Sequence, residues 1–221
     1  IRTLTSNPQH FDFILSNLAL IIIPFIYITL VFIGKYIVQY EWQFIVFAFV
    51  LSMTIFFSGG QFLEWTVFSG QFSFALFLLV ILPGIFKRGN SFRSVIDPVR
   101  GDLAIYGFIY LLPHSLSNLD KALNGFNSTG IIAALLIFPL FITSFKGVRA
   151  RMTPSSWIKL HKLSYVAYVA IYIHTGFDIW LNPFQIYLKM NSWPVHVITI
   201  IYIVLKFRLV YMKKLEIKLQ N

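Results

Sequence analysis

The stretch WIKLHKLSYVAYVAIYIHTGFDIW, Trp157 to Trp180, decides the fold. After its first turn it is apolar, and it is long enough to cross a bilayer, which takes about 20 residues of α-helix. It carries two histidines, His161 near its start and His174 deep within it. An ionisable side chain inside such a segment is costly, and it marks a functional site unless something else accounts for it. The two histidines are thirteen residues apart, which on a helix is roughly 20 Å of rise and about 220° of turn. They cannot share one ligand, so they are expected to serve two sites at different depths.

Working outward, charges bracket six further apolar runs: 13–34, 42–63, 65–86, 103–119, 122–145 and 192–205. With Trp157–Trp180 this gives seven candidate helices, the second and the last of them short. Hydrophobic residues make up 57% of the 221-residue chain and charged ones 12%, and mean hydropathy is +0.75. A soluble domain is nearer one-quarter charged. The expected fold class is therefore all-α, a polytopic transmembrane helical bundle. The first run is too long for a cleavable signal peptide and lacks a small-residue cleavage site, so it reads as a spanning helix.

The net charge of +10 is not spread evenly. Lys35, the cluster Lys87, Arg88, Arg93 and Arg100, the cluster Lys146, Arg149 and Arg151, and the tail from Lys206 to Lys218 all fall on one side of a seven-span chain. The other side keeps Arg2, Lys121 and Lys189. Positive charge marks the cytoplasmic face, so the N-terminus is expected outside and the C-terminus inside. The excess charge is then a topology signal and an anionic-lipid contact rather than a nucleic-acid footprint. The chain has no cysteine, which excludes disulfides, iron–sulfur clusters and thiolate metal sites. It also lacks a G-x-G-x-x-G fingerprint, so no dinucleotide domain is expected within it.

Neutral imidazoles on neighbouring helices can ligate a haem iron from both faces. His114 lies in the 103–119 run, roughly 20 Å along the helix from Arg100, past the middle toward the outside. It is closer in depth to His174 than to His161. A haem between these two helices, with His114 and His174 as axial ligands, is the best geometric expectation. Pro113, just before His114, frees the carbonyl of Ile109, and a histidine bonded to such a carbonyl is the plainer reading of this position. His161 has no histidine at its depth; its counterpart is Arg100. A guanidinium is not an ordinary haem ligand but pairs with a propionate, a flavin phosphate or an anionic quinone. Arg100 and His161 therefore read either as an inner site for a non-haem electron donor or as anchors at the interface. His10 and His196 read as interfacial residues, with Trp193 beside His196 suiting an aromatic belt.

Several of these residues fall in a familiar pattern. Ser69-Gly70-Gln71, Leu82-Pro83, Arg100 and His114, Thr143-Ser144, and the W-x-x-L-H element Trp157 to His161 with Tyr165 and His174 resemble the ferric reductase-like transmembrane domain. The nearest pattern is the MsrQ-type haem-b membrane subunit. The resemblance covers roughly residues 65–210; the W-x-x-L-H-x(12)-H element is its specific part. It implies a six-helix core that passes electrons across a membrane through haem b. It implies residues 42–221 as that domain, with residues 1–41 as an additional N-terminal transmembrane helix. NADPH oxidases of the family hold two haems on two histidine pairs. Here Arg100 stands where the fourth histidine would be, as in MsrQ and the STEAP metalloreductases, where an inner cofactor other than haem can feed an outer haem. Pro113 and the N-terminal helix depart from the pattern.

The expected function is an oxidoreductase: a membrane electron-transfer subunit with one outer haem b held by His114 and His174. FMN, FAD or a quinone is the class expected at the inner Arg100–His161 site. A separate reductase or quinol would donate on the cytoplasmic side, and an extracytoplasmic flavoprotein, ferric iron or other acceptor would receive. The alternative from another class is a proton or metal-ion transporter using the intramembrane histidines. Such transport usually wants intramembrane carboxylates, and the sequence places Asp102 and Asp178 only at interfaces.

Overall fold

The computed structural model describes residues 14, 17–58, 67, 69–181 and 184–220; His10 and the ends of several apolar runs lie outside them. The chain is mostly helical, in the order α1 (Leu18–Gln39), α2 (Glu41–Ser58), α3 (Gln71–Ile81), α4 (Ser91–Ile96), α5 (Arg100–Ser117), α6 (Leu119–Leu123), α7 (Thr129–Ile142), α8 (Lys146–Arg149), α9 (Pro154–His161) and α10 (Leu163–Gly176). A hairpin of β1 (Phe177–Leu181) and β2 (Phe184–Leu188) follows, then α11 (Trp193–Gln220). Among the described residues, three segments are long and apolar enough to cross a membrane: Leu18–Gln39, Glu41–Ser58 and Met190–Met212. This is a membrane protein.

α3 is the axis of the bundle. Seven of its eleven residues are buried, which is why its sequence is apolar all round rather than on one stripe. One side joins a core cluster with Leu30 and Ile37 of α1, Ala48 and Ile55 of α2, and Leu103 and Ile109 of α5. The other side packs with Ala133 of α7, Tyr168 and Ile171 of α10, and Val195 and Tyr202 of α11. At one end the side chain of Gln71 accepts from the Ala19 amide at 3.1 Å. There Asn17 also donates to the Asn191 carbonyl at 2.6 Å. The starts of α1, α3 and α11 therefore meet. At the basic end Lys146 pairs with Glu41 at 2.8 Å, and Lys206 donates to the Gly84 carbonyl at 3.0 Å.

Element boundaries move for identifiable reasons. α1 runs past Lys35 to Gln39, because a long cationic side chain keeps its head polar while its stem lies on the helix. The 122–145 run splits into α6 and α7 around Gly125 and Asn127, both at positive φ. The Trp157–Trp180 segment is not one helix. It turns at Lys162, and α10 ends at Gly176, where the chain becomes extended. Val, Ile, Trp and Phe suit strands as well as apolar helices, so hydropathy alone extends the helix into β1. The last helix is long, not short: it passes Lys206 and Arg208 and continues to Gln220.

The Ile109 carbonyl freed by Pro113 is satisfied, but not by His114. The fully buried Ser52 hydroxyl donates to it at 3.0 Å. A neighbouring helix thus repairs the break that proline makes in α5.

Candidate functional site

A cavity of about 1340 Å³ runs between α3, α5, α7 and the α9–α10 pair. Gly70, His114, Gly130 and His174 line one end of it, and Arg100, Arg149, Trp157 and His161 the other. Ordinary small-molecule sites span roughly 300–1,000 Å³; this one has room for a large planar group or for two groups in series.

At the first end, the rings of His114 and His174 face each other with centres 5.9 Å apart and planes at 72°. His174 Nδ1 is buried on the Gly130 side of the ring, with the Asn127 backbone as the hydrogen-bonding group nearby. Two glycines back the rings. Gly70 sits at φ +77°, a left-handed conformation that glycine adopts without strain; a Cβ there would stand 3.1 Å from the His114 ring. A Cβ on Gly130, in the first turn of α7, would stand 2.8 Å from His174 Cε1. A Cβ at Gly130 would displace the His174 imidazole, and one at Gly70 would press on the His114 ring.

The loop that presents Gly130 is fixed by Asn127. Its amide donates to the Ile179 carbonyl at 2.7 Å, and its side-chain oxygen accepts from the Ile179 amide at 2.9 Å. The Leu181 amide donates to the Gly125 carbonyl at 2.9 Å. The hairpin after His174 thus braces the turn before Gly130.

The inner end is built differently. His161 Nε2 lies 3.1 Å from the Thr143 hydroxyl, and its ring stacks on Trp157 at 4.0 Å. Trp157 donates its indole N–H to the Thr143 carbonyl at 3.1 Å, and the Arg149 guanidinium lies 4.6 Å over the indole. Arg100 opens α5 and donates from Nε to the Val80 carbonyl at 2.7 Å. Arg100 and His161 line the same part of the cavity, and His161 is held there by side chains of α8, α9 and the end of α7.

His196, at the start of α11, bonds to the Tyr172 hydroxyl through Nδ1 at 2.9 Å and contacts the Phe177 ring; it does not line the cavity. Asp102 stands in the first turn of α5, beside Arg100. It is 3% exposed, lines the cavity, and its Oδ1 has no partner. α2 and the Glu41–Lys146 pair cover the turn that carries it, and nothing in the local sequence signals that cover. Gly70 stands within the quoted motif; Gly130, Thr143 as a partner of His161, and Asn127 carry no signal of their own, because each acts through a neighbour distant in sequence.

Among the described residues no group of three or more His, Asp or Glu is placed to hold a bare metal ion. No protein-family model matches the chain, and no solved structure matches it. It is 32% identical over 123 residues to an uncharacterized protein of Treponema pallidum (strain Nichols), a match covering 49% of this chain and 34% of that protein. The chain thus spans about a third of the length of this curated relative.

Proposed function

We propose that this chain is a haem-b transmembrane electron-transfer protein, an oxidoreductase subunit with a six-helix ferric reductase-like core and one added N-terminal helix. The observation that carries the reading is the facing pair His114 and His174. The ring centres stand 5.9 Å apart, close enough that both imidazoles would hold one metal centre between them. Two imidazoles are too few donors for a bare transition ion but suit an iron that already has four porphyrin nitrogens. The glycine backing of both rings fits the same use.

When bound, haem b would supply a one-electron carrier whose potential its protein ligands and burial set. The protein's own residues do the rest. His114 and His174 orient the group, Gly70 and Gly130 leave room for the rings, and the apolar walls from α3, α7 and α10 exclude water. Arg100 and Arg149, at the basic end, suit the phosphate of FMN or FAD or an anionic quinone, and Trp157 and His161 offer an aromatic wall beside them. Electrons then enter on the cytoplasmic side from a separate reductase or quinol and leave to an extracytoplasmic acceptor. The chain is a multi-pass protein of the cell membrane in this reading, N-terminus outside and C-terminus cytoplasmic.

The test is an absorption spectrum of the detergent-purified protein before and after dithionite, with an assay for released flavin. A sharpened α band of b type at about one haem per chain is expected. A colourless protein from haem-replete cells overturns the reading. A second reading has one observation in its favour: the buried carboxylate of Asp102, whose Oδ1 has no partner, suits a proton or metal-ion transporter. Asp102→Asn should abolish transport in that case and leave a haem spectrum untouched in the first.

A further inference from the structure

The hairpin between His174 and α11 has a use that the electron path does not require. Its register pairs Phe177 with Leu188, Ile179 with Ile186 and Leu181 with Phe184. Paired residues share a face of the sheet, so all six apolar side chains lie on one side. Asp178, Trp180, Gln185 and Tyr187 lie on the other. β2 is open to its surroundings: Phe184 is 70% exposed, Ile186 52% and Leu188 51%. The exposed apolar run then continues through Met190 and Trp193 into Val197 and Ile200 of α11. That is the surface of a segment apolar enough to cross a membrane, so the hairpin face is continuous along the chain with a lipid-facing one.

Depth is fixed by the backbone. β1 is paired on both edges, with β2 on one side and with the 125–127 turn on the other. β2 has a partner on one edge only among the described residues. An open strand edge is not tolerated in hydrocarbon, where no water can satisfy it. The polar face carries an ion pair at its base, Lys189 to Asp178 at 3.0 Å, and Trp180 and Tyr187 are side chains that favour the head-group layer. An apolar face, an open edge and an aromatic polar face are satisfied together at one place, the boundary between acyl chains and head groups.

We infer that the β1–β2 hairpin lies flat in the outer membrane interface, with the Phe184–Ile186–Leu188 face on the acyl chains and the Gln185–Tyr187 face toward water. Its partner is a lipid surface. Because β1 holds Asn127, and Asn127 the turn before Gly130, the membrane surface also steadies the His174 end of the cavity.

The chain has no cysteine, so single-cysteine labelling is clean. Phe184→Cys, Gln185→Cys, Ile186→Cys, Tyr187→Cys and Leu188→Cys, each carrying a nitroxide, are read in lipid nanodiscs for collision with oxygen and with a water-soluble nickel chelate. Ile200→Cys serves as the lipid-facing reference. The inference predicts alternation with a period of two. Positions 184, 186 and 188 should resemble Ile200→Cys, with several-fold more oxygen than nickel contact, and 185 and 187 should be nickel-accessible. Nickel access at all five positions overturns it, since the hairpin then stands free in water. Shielding of 184, 186 and 188 from both reagents also overturns it and places a protein surface, such as a second copy of this chain, on that face.

Discussion

The two ends of the cavity hold histidines of the same chemistry in opposite circumstances. His161 is engaged on every side the structure describes: its Nε2 meets Thr143, its ring lies on Trp157, and Trp157 is itself tied to Thr143 and covered by Arg149. His174 faces another imidazole and lies against a glycine, where a side chain would push it aside. The difference separates a histidine packed among polar and aromatic side chains from one set opposite a second imidazole at the end of a cavity.

The largest break in that contrast comes from removing the facing pair. His114→Ala or His174→Ala should remove low-spin haem almost entirely, at least a tenfold fall in haem per chain by pyridine haemochrome. His161→Ala should keep that haem and instead slow its reduction by the physiological donor several-fold, measured by stopped-flow absorbance. Equal haem loss from all three variants erases the distinction between the two ends. Gly130→Val comes next. Its side chain must displace the His174 ring, so haem occupancy should fall severalfold or the spectrum should shift toward high spin, while helical circular dichroism is retained. The smallest effect belongs to the scaffold. Ser52→Ala removes the donor to the buried Ile109 carbonyl and should cost about 1–3 kcal/mol, a fall of a few degrees in Tm with the haem spectrum unchanged.

How much of this was legible in the sequence differs between the two ends as well. Hydropathy and the charge clusters gave the helical membrane class, because both follow from composition along the chain. Depth counting from Arg100 and His161 brought His114 level with His174, since rise per residue is nearly constant in a helix. Residues 177–180 read as helix because Ile, Trp and Phe fit a strand or a buried helix equally well. The burial of Asp102 within the protein was not legible, since its cover comes from α2 and the Glu41–Lys146 pair, which are distant in sequence. Ser52 as the partner of Ile109, and Gly130 as the floor under His174, depend on contacts between helices that carry no local signal.

The angle between the facing rings allows one measurement to bear directly on the central claim. Were His114 and His174 to hold a haem with their ring planes near the 72° seen here, the ferric protein would give a highly anisotropic low-spin signal in electron paramagnetic resonance at helium temperature. The account predicts that signal in the oxidised wild-type protein and its loss in both His114→Ala and His174→Ala. A high-spin axial spectrum in the wild type, or a low-spin signal that survives both substitutions, would contradict it.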